Sequence, residues 1–203
     1  MIKNIVFDMG QVLIHWSPDL YMKKYDLSEK DKELLRQELF QSVEWVALDH
    51  GTVSEEDATD AVCSRVPRRL HAAVEELITG WWRQPMQPME GMAELIAGLK
   101  AEGYGIYLLS NAGLPLRGYF RWIPGSEYFD GVMVSSEEKL LKPQHEIFRA
   151  LFQRFDLKPE TCFFVDDSPI NVEGAACCGM AGTIYRGDTN RLRQEMRAAG
   201  IRV

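Results

Sequence analysis

Cysteine is scarce in this chain, basic charge falls short of acidic, and no apolar run is long. The four cysteines, Cys63, Cys162, Cys177 and Cys178, match no zinc spacing, and two of them are adjacent. They read as buried, reduced thiols of a cytoplasmic protein and not as a disulfide or metal framework. Lysine and arginine number 23 against 30 aspartates and glutamates, a formal net charge of −7. That balance argues against a broad face for nucleic-acid phosphates, so no nucleic-acid partner is expected. A small anion is still an admissible ligand, because a metal or a lysine sets the local field whatever the global sign. No stretch approaches the roughly 18 apolar residues of a membrane span. The apolar start Ile2–Phe7 is short and runs straight into Asp8, unlike a signal peptide. The expectation is a cytoplasmic protein with no membrane contact and no obligate protein partner.

What is present suits a folded α/β chain. At 203 residues, 46% hydrophobic and 26% charged, the chain can bury a full core with a modest insertion. Five short runs rich in β-branched and aromatic residues read as buried strands: Lys3–Phe7, Tyr104–Leu109, Val132–Val134, Cys162–Val165 and Thr183–Tyr185. Helical stripes lie between the later ones. Met92, Leu95, Ile96 and Leu99 form one, stopped by Gly103; Ile147, Leu151, Phe152 and Phe155 form another, with Pro143 suited to its first turn. Val172, Ala175 and Ala176, then Leu192, Met196 and Ala199, mark two more. Alternation of this kind predicts a doubly wound, mainly parallel sheet. The stretch 16–88 breaks it. Leu34, Leu35, Glu38 and Leu39 suggest one helix, Leu70, Val74, Leu77, Ile78 and Trp81 a second, and Ser54 caps the start of another. The chain thus divides into a core, 1–15 and 89–203, and a helical insertion, 16–88, that should sit over the carboxyl ends of the strands.

Four polar segments fall at or just after strand ends. Asp8 follows the first strand, in Val6-Phe7-Asp8-Met9-Gly10-Gln11-Val12; alone, such an aspartate is usually a turn residue. Ser110-Asn111 follows the second strand; the pair suits phosphoryl oxygens, and equally a helix N-cap. Lys142-Pro143 offers a point cation. Asp166-Asp167-Ser168, with Asn171 beyond, places two carboxylates side by side, which repel unless a cation joins them. Hard oxygen donors select a hard ion, and Mg²⁺ is the usual one where phosphate is handled. In a parallel sheet these strand ends share one edge, so the four segments converge.

With those motifs in that order, the chain resembles the haloacid dehalogenase-like (HAD) superfamily, over Met1 to about Val203, with a cap in the family's first position. The resemblance implies a Rossmann-like sheet of order 5-4-1-2-3. It also implies roles. Asp8 would be the nucleophile of an aspartyl-phosphate, Ser110 and Asn111 would hold phosphoryl oxygens, and Lys142 would both bind substrate and stabilise charge. Mg²⁺ would be held by Asp8, the Gly10 carbonyl, Asp167 and, in or behind the first shell, Asp166. The form Asp-x-Gly-x-Val departs from most of the family's phosphatases, which carry a second aspartate where Gly10 stands. It is similar to a subgroup that includes bacterial α-glucose-1-phosphatases, so the expected reaction is Mg²⁺-dependent hydrolysis of a small phosphorylated metabolite, a sugar phosphate. A phospholigand-binding protein without turnover is the alternative that Gly10 suggests. A metal-independent dehalogenase is the other, and the Asp166–Asp167 pair argues against it. His15 is a candidate substitute proton donor, and Trp16, Trp45, Asp49, His50, Trp81 and Trp82 are candidates for contacts to the leaving group, although Trp81 and Trp82 are read chiefly as packing.

Overall fold

The computed structural model describes residues 1–203. Strands buried on both faces need apolar residues at consecutive positions, and β1 (Asn4–Phe7) has them: Ile5 and Phe7 face one layer, Val6 the other. Next along the chain come β2 (Ile14–His15), α1 (Pro18–Met22), α2 (Glu29–Leu35), α3 (Val43–His50), α4 (Glu55–Cys63), α5 (His71–Thr79) and β3 (Gln87–Pro88). The remainder is α6 (Met92–Ala101), β4 (Gly105–Ser110), α7 (Leu116–Tyr119), β5 (Gly131–Val134), α8 (Ser135–Glu138), α9 (His145–Phe155), β6 (Cys162–Asp166), α10 (Pro169–Cys177), β7 (Ala181–Ile184) and α11 (Thr189–Ala198). Five of the strands form one parallel sheet in the order β5-β4-β1-β6-β7. Counting those five alone, this is the 5-4-1-2-3 order.

Helices cover both faces. Met92, Leu95, Ile96 and Leu99 of α6 and Leu192 and Met196 of α11 pack with Ile5, Phe7, Ile106, Leu108 and Val165. Ile147, Phe148, Leu151 and Phe152 of α9 and Ala175 of α10 pack with Val6, Leu109, Met133 and Phe164 on the other side. Pro143 stands outside the first turn of α9, in a turn ahead of the N-cap Gln144, because the Lys142 backbone is tied to another strand end. Only Cys162 is buried; Cys177 is exposed, and the expectation of four buried thiols is corrected, because Cys177 ends a helix facing solvent.

The helices α1 to α5 enclose a separate apolar core of Tyr21, Leu35, Leu39, Val62, Leu77 and Ile78 with their neighbours. Four of them start at a serine, Ser17, Ser28, Ser42 or Ser54, whose hydroxyl accepts the N–H three residues on. Each such cap is worth about 1 kcal/mol. The stripe through Leu34 and Leu39 is α2 continued by a π-helical turn, Arg36–Phe40. No strand was expected from Trp16 to Pro88, yet Ile14–His15 pairs antiparallel with Gln87–Pro88, closing the neck of the insertion. Two residues are too few to show a period of two. No helix is long and apolar enough to cross a membrane.

Candidate active site

The central strand β1 lies between β4 and β6, and the chain leaves the sheet on both sides of it, which opens a crevice at the carboxyl edge. Register fixes what meets there. Phe7 pairs with Leu108 and Val165, and the Asp8 N–H donates to the Val165 carbonyl at 2.9 Å, so Asp8 lies alongside Asp166 at the end of β6. Ser110 ends β4 at the same edge. Lys142 enters from the loop between α8 and α9. Its Nζ donates to Asp8 Oδ1 at 2.7 Å and to Asp166 Oδ2 at 2.6 Å, and it lies 5.4 Å from the centre of the Phe164 ring. Lys142 is 4% exposed and Asp166 fully buried.

Charges this deep need every partner they have. Asp166 also accepts from the Ser168 N–H at 2.8 Å and from Asn171 Nδ2 at 3.1 and 3.2 Å. Burial works against the Lys142 charge, but Asp8 and Asp166 outweigh it and hold the ammonium above its usual range. Burial pushes Asp8 up to about 6; Lys142 pulls against that, and Asp166 adds to it. Asp167 is also raised, by burial and then by the charge of Asp166.

One lysine faces three carboxylates. Oxygens of Asp8, Asp166 and Asp167 all come within 4.8 Å of one another, and Gly10 lines the same cavity with a carbonyl that no backbone N–H uses. A donor set of hard oxygens with surplus negative charge fits Mg²⁺.

Ser110 is 1% exposed and lines the cavity. Asn111 lines the cavity as well, and its side chain has partners within the protein. Its Nδ2 donates to the Lys142 carbonyl at 3.0 Å, and its Oδ1 accepts the Lys142 N–H at 2.9 Å. Both ends of the carboxamide engage the lysine backbone, so its side chain positions Lys142. His15 is exposed on β2, in a different surface hollow from the Asp8 cavity, and His50 bonds to the Lys139 carbonyl at 2.8 Å. Neither histidine lines the cavity, because strand alternation and the C-terminal turn of α3 point them away.

Above the sheet edge lies a cavity of about 690 Å³ between the core and the insertion. Trp16, Trp45, Asp49, Trp81 and Trp82 all line it. The tryptophans also pack on one another: Trp16 is 5.8 Å from Trp45 and 6.2 Å from Trp81 between ring centres. Wall and packing are one set of rings. Tyr119, stacked on Trp82 at 5.7 Å, belongs to the wall too. Sequence reading missed it, since nothing marks a tyrosine in a four-residue helix. Asp49 is half-buried, and burial pushes it up to about 7, with Asp8 adding and Lys142 opposing.

A parallel five-stranded sheet with its carboxylates and one lysine gathered at the switch between strands is a doubly wound α/β fold with a candidate site where such folds bind ligands. The chain matches the haloacid dehalogenase-like hydrolase family over residues 2–179 and belongs to it. It is similar to a sesquiterpene phosphatase of Aspergillus oryzae, 29% identical over 189 residues, which covers 89% of this chain and 88% of that one. It is similar also to the D-ribitol-5-phosphate phosphatase of Bacteroides thetaiotaomicron, 27% identical over 185 residues, covering 85% and 86%. Among solved structures it resembles a HAD family enzyme of Bacteroides thetaiotaomicron in complex with magnesium and inorganic phosphate. That match has a TM-score of 0.70 at 24% identity and covers 95% of this chain and 99% of the other. With such relatives the chain is a phosphoric monoester hydrolase of that family.

Proposed function

We propose that this hydrolase is a Mg²⁺-dependent phosphatase that takes a small monophosphate through an aspartyl-phosphate on Asp8. One observation carries it: a single ammonium, Lys142, is held between Asp8 and Asp166 at the carboxyl edge of the sheet, beside Asp167. In this reading Asp8 attacks phosphorus in line with the departing oxygen and splits the hydrolysis into two easier steps. Lys142 and the Ser110 hydroxyl meet the charge on the equatorial oxygens, where fixed groups need no reorganisation. Asp166 and Asn111 act through Lys142 by holding its two ends. Asp8, Asp167 and the Gly10 carbonyl would hold the ion, with Asp166 behind them. When bound, Mg²⁺ supplies positive charge at the phosphoryl oxygens. A dehalogenase reaction would leave Asp167 without a task.

The walls speak to the leaving group. The resemblance to α-glucose-1-phosphatases points to a sugar phosphate, but the insertion side of the cavity carries Trp16, Trp45, Leu48, Trp81 and Trp82, and the core adds Tyr119. Lys142 is the single cationic residue lining it, so nothing there receives a second phosphate. These surfaces favour an organic monophosphate with a sizeable apolar or aromatic group. The Aspergillus oryzae relative, a sesquiterpene phosphatase by name, fits the same chemistry. A series of n-alkyl phosphates tests this against pentitol and hexose phosphates in the presence of Mg²⁺. Each buried methylene is worth about 0.8 kcal/mol, so kcat/KM should climb about fourfold per carbon while the chain still gains wall. A flat series, with the sugar phosphates preferred, would contradict the assignment.

A further inference from the structure

The residue that most HAD phosphatases use to protonate the leaving oxygen is Gly10 here, and Gly10 has no side chain to do so. Four carboxylates line the Asp8 cavity: Asp8 itself, Asp167, Asp49 and Glu55. Asp8 and Asp167 lie in the group suited to the ion, and Asp49 is not part of that group. Glu55 lies in the first turn of α4, just after the N-cap Ser54; burial raises its carboxyl, Arg83 opposes that, and neither Asp8 nor Lys142 acts on it. Asp49 is the carboxylate that feels Asp8 and Lys142, from the insertion side.

We propose that Asp49, carried by α3, is the general acid and base that takes the place of the aspartate missing at position 10. The assignment rests on the phosphatase reading above.

Three features of α3 support it. First, Asp49 lies in the last turn of the helix, where the macrodipole disfavours a carboxylate. It has no hydrogen bond or ion pair within the protein to offset that. A half-buried carboxylate in such a place is costly unless it serves a ligand. Second, its backbone is clamped to the core. Ser135 Oγ donates to the Asp49 carbonyl at 2.5 Å, and the same hydroxyl accepts the Ala112 N–H at 2.9 Å, one residue after Asn111. The next residues continue the clamp: His50 bonds to the Lys139 carbonyl, and Gly51, at φ 72°, lies so close to the Ser136 backbone that a Cβ would overlap it. The end of α3 is therefore held to the strand-end loops that carry the reaction centre. Third, burial keeps a proton on Asp49 up to about pH 7, so the acid form is present when the ester enters. Tyr119, buried and sensing Asp49, stays a neutral phenol beside it.

An Asp8 oxygen bonds to phosphorus while the phosphorus–oxygen bond to the alcohol breaks, and the Asp49 proton passes to that oxygen. Water then attacks the phosphorus of the Asp8 aspartyl-phosphate. The Asp49 carboxylate takes one of its protons, phosphate leaves, and both carboxyls return to their starting forms.

Single-turnover release of the alcohol isolates the first step. With Mg²⁺ present, Asp49→Asn should slow release from an n-alkyl phosphate by about 10²–10⁴-fold, the usual worth of a general acid. Release of p-nitrophenolate, which departs without a proton, should fall less than tenfold. The same split is expected of Asp49→Ala, with circular dichroism checking the fold of both. Equal losses on the two substrates, or no loss on either, would overturn the assignment of Asp49. Asp8→Asn in the same assay separates the two claims. If Asp8→Asn still turns over, the phosphatase reading itself fails; if it is dead while Asp49→Asn shows no split, only Asp49 is wrong.

Discussion

Replacing Lys142 by methionine removes the one positive charge between two buried carboxylates. Methionine fills nearly the same volume, so the loss is electrostatic and little is due to packing. In the native protein Nζ bonds to both Asp8 and Asp166, at 2.7 and 2.6 Å. Taking away one member of a buried ion pair typically costs about 3–5 kcal/mol, because the other is left charged and alone. The pH dependence has a definite sign. Asp8 is already raised to about 6 from 3.8, and Lys142 is what restrains it. Without the lysine its folded value climbs further, so above the unfolded value the folded state binds more protons than the unfolded one and stability falls as pH rises. The gap between variant and native protein should therefore be smaller at pH 5, where the lost pairing with Asp166 remains, and reach its full size at pH 8. With a urea slope of about 2 kcal/mol per molar, 3–5 kcal/mol moves the midpoint by roughly 1.5–2.5 M. Urea titrations in a chelating buffer, followed by circular dichroism, measure it. A midpoint shift that is equal at pH 5 and pH 8, or absent at both, would refute the reasoning.

Two other substitutions probe the neighbours. Gly51→Ala places a Cβ against the Ser136 carbonyl at a left-handed φ, so the end of α3 should lift from the core. Turnover of an alkyl phosphate is expected to fall at least tenfold, with about 1–3 kcal/mol of stability lost by thermal melting. Gly10→Asp has room, since a Cβ there meets only the Trp16 Cβ at 3.8 Å. If leaving-group protonation limits the rate, it should speed alkyl phosphates more than p-nitrophenyl phosphate, and equal effects on both in steady-state assays would count against that.

The sheet was legible because buried strands write themselves as unbroken apolar runs, and Lys3–Phe7 or Cys162–Val165 has no other comfortable reading. The convergence of Asp8, Ser110, Lys142 and the Asp166–Asp167 pair followed from topology, since parallel strands put all their carboxyl ends on one edge. Roles that depend on which atom faces which were not legible. Asn111 looked like a ligand group, and its engagement with the Lys142 backbone exists only once two distant loops meet. In the sequence His15, near the nucleophile, is the candidate proton donor, and Asp49, far from it, only a candidate contact to the leaving group. Proximity along the chain misled for His15, which alternates outward on β2, whereas Asp49 reaches the cavity through the docking of α3 on Ser135. The aromatic wall was visible as tryptophans, but Tyr119 was invisible until the core presented it to Trp82.

Phosphate release from p-nitrophenyl phosphate by the native protein and by Asp8→Asn, each with Mg²⁺ and with a chelator, tests the central claim most directly. The native protein should release phosphate with Mg²⁺ and lose at least 10³-fold in the chelator, and Asp8→Asn, folded by circular dichroism, should be as inactive as the chelated enzyme. Turnover by Asp8→Asn within tenfold of native would contradict the account.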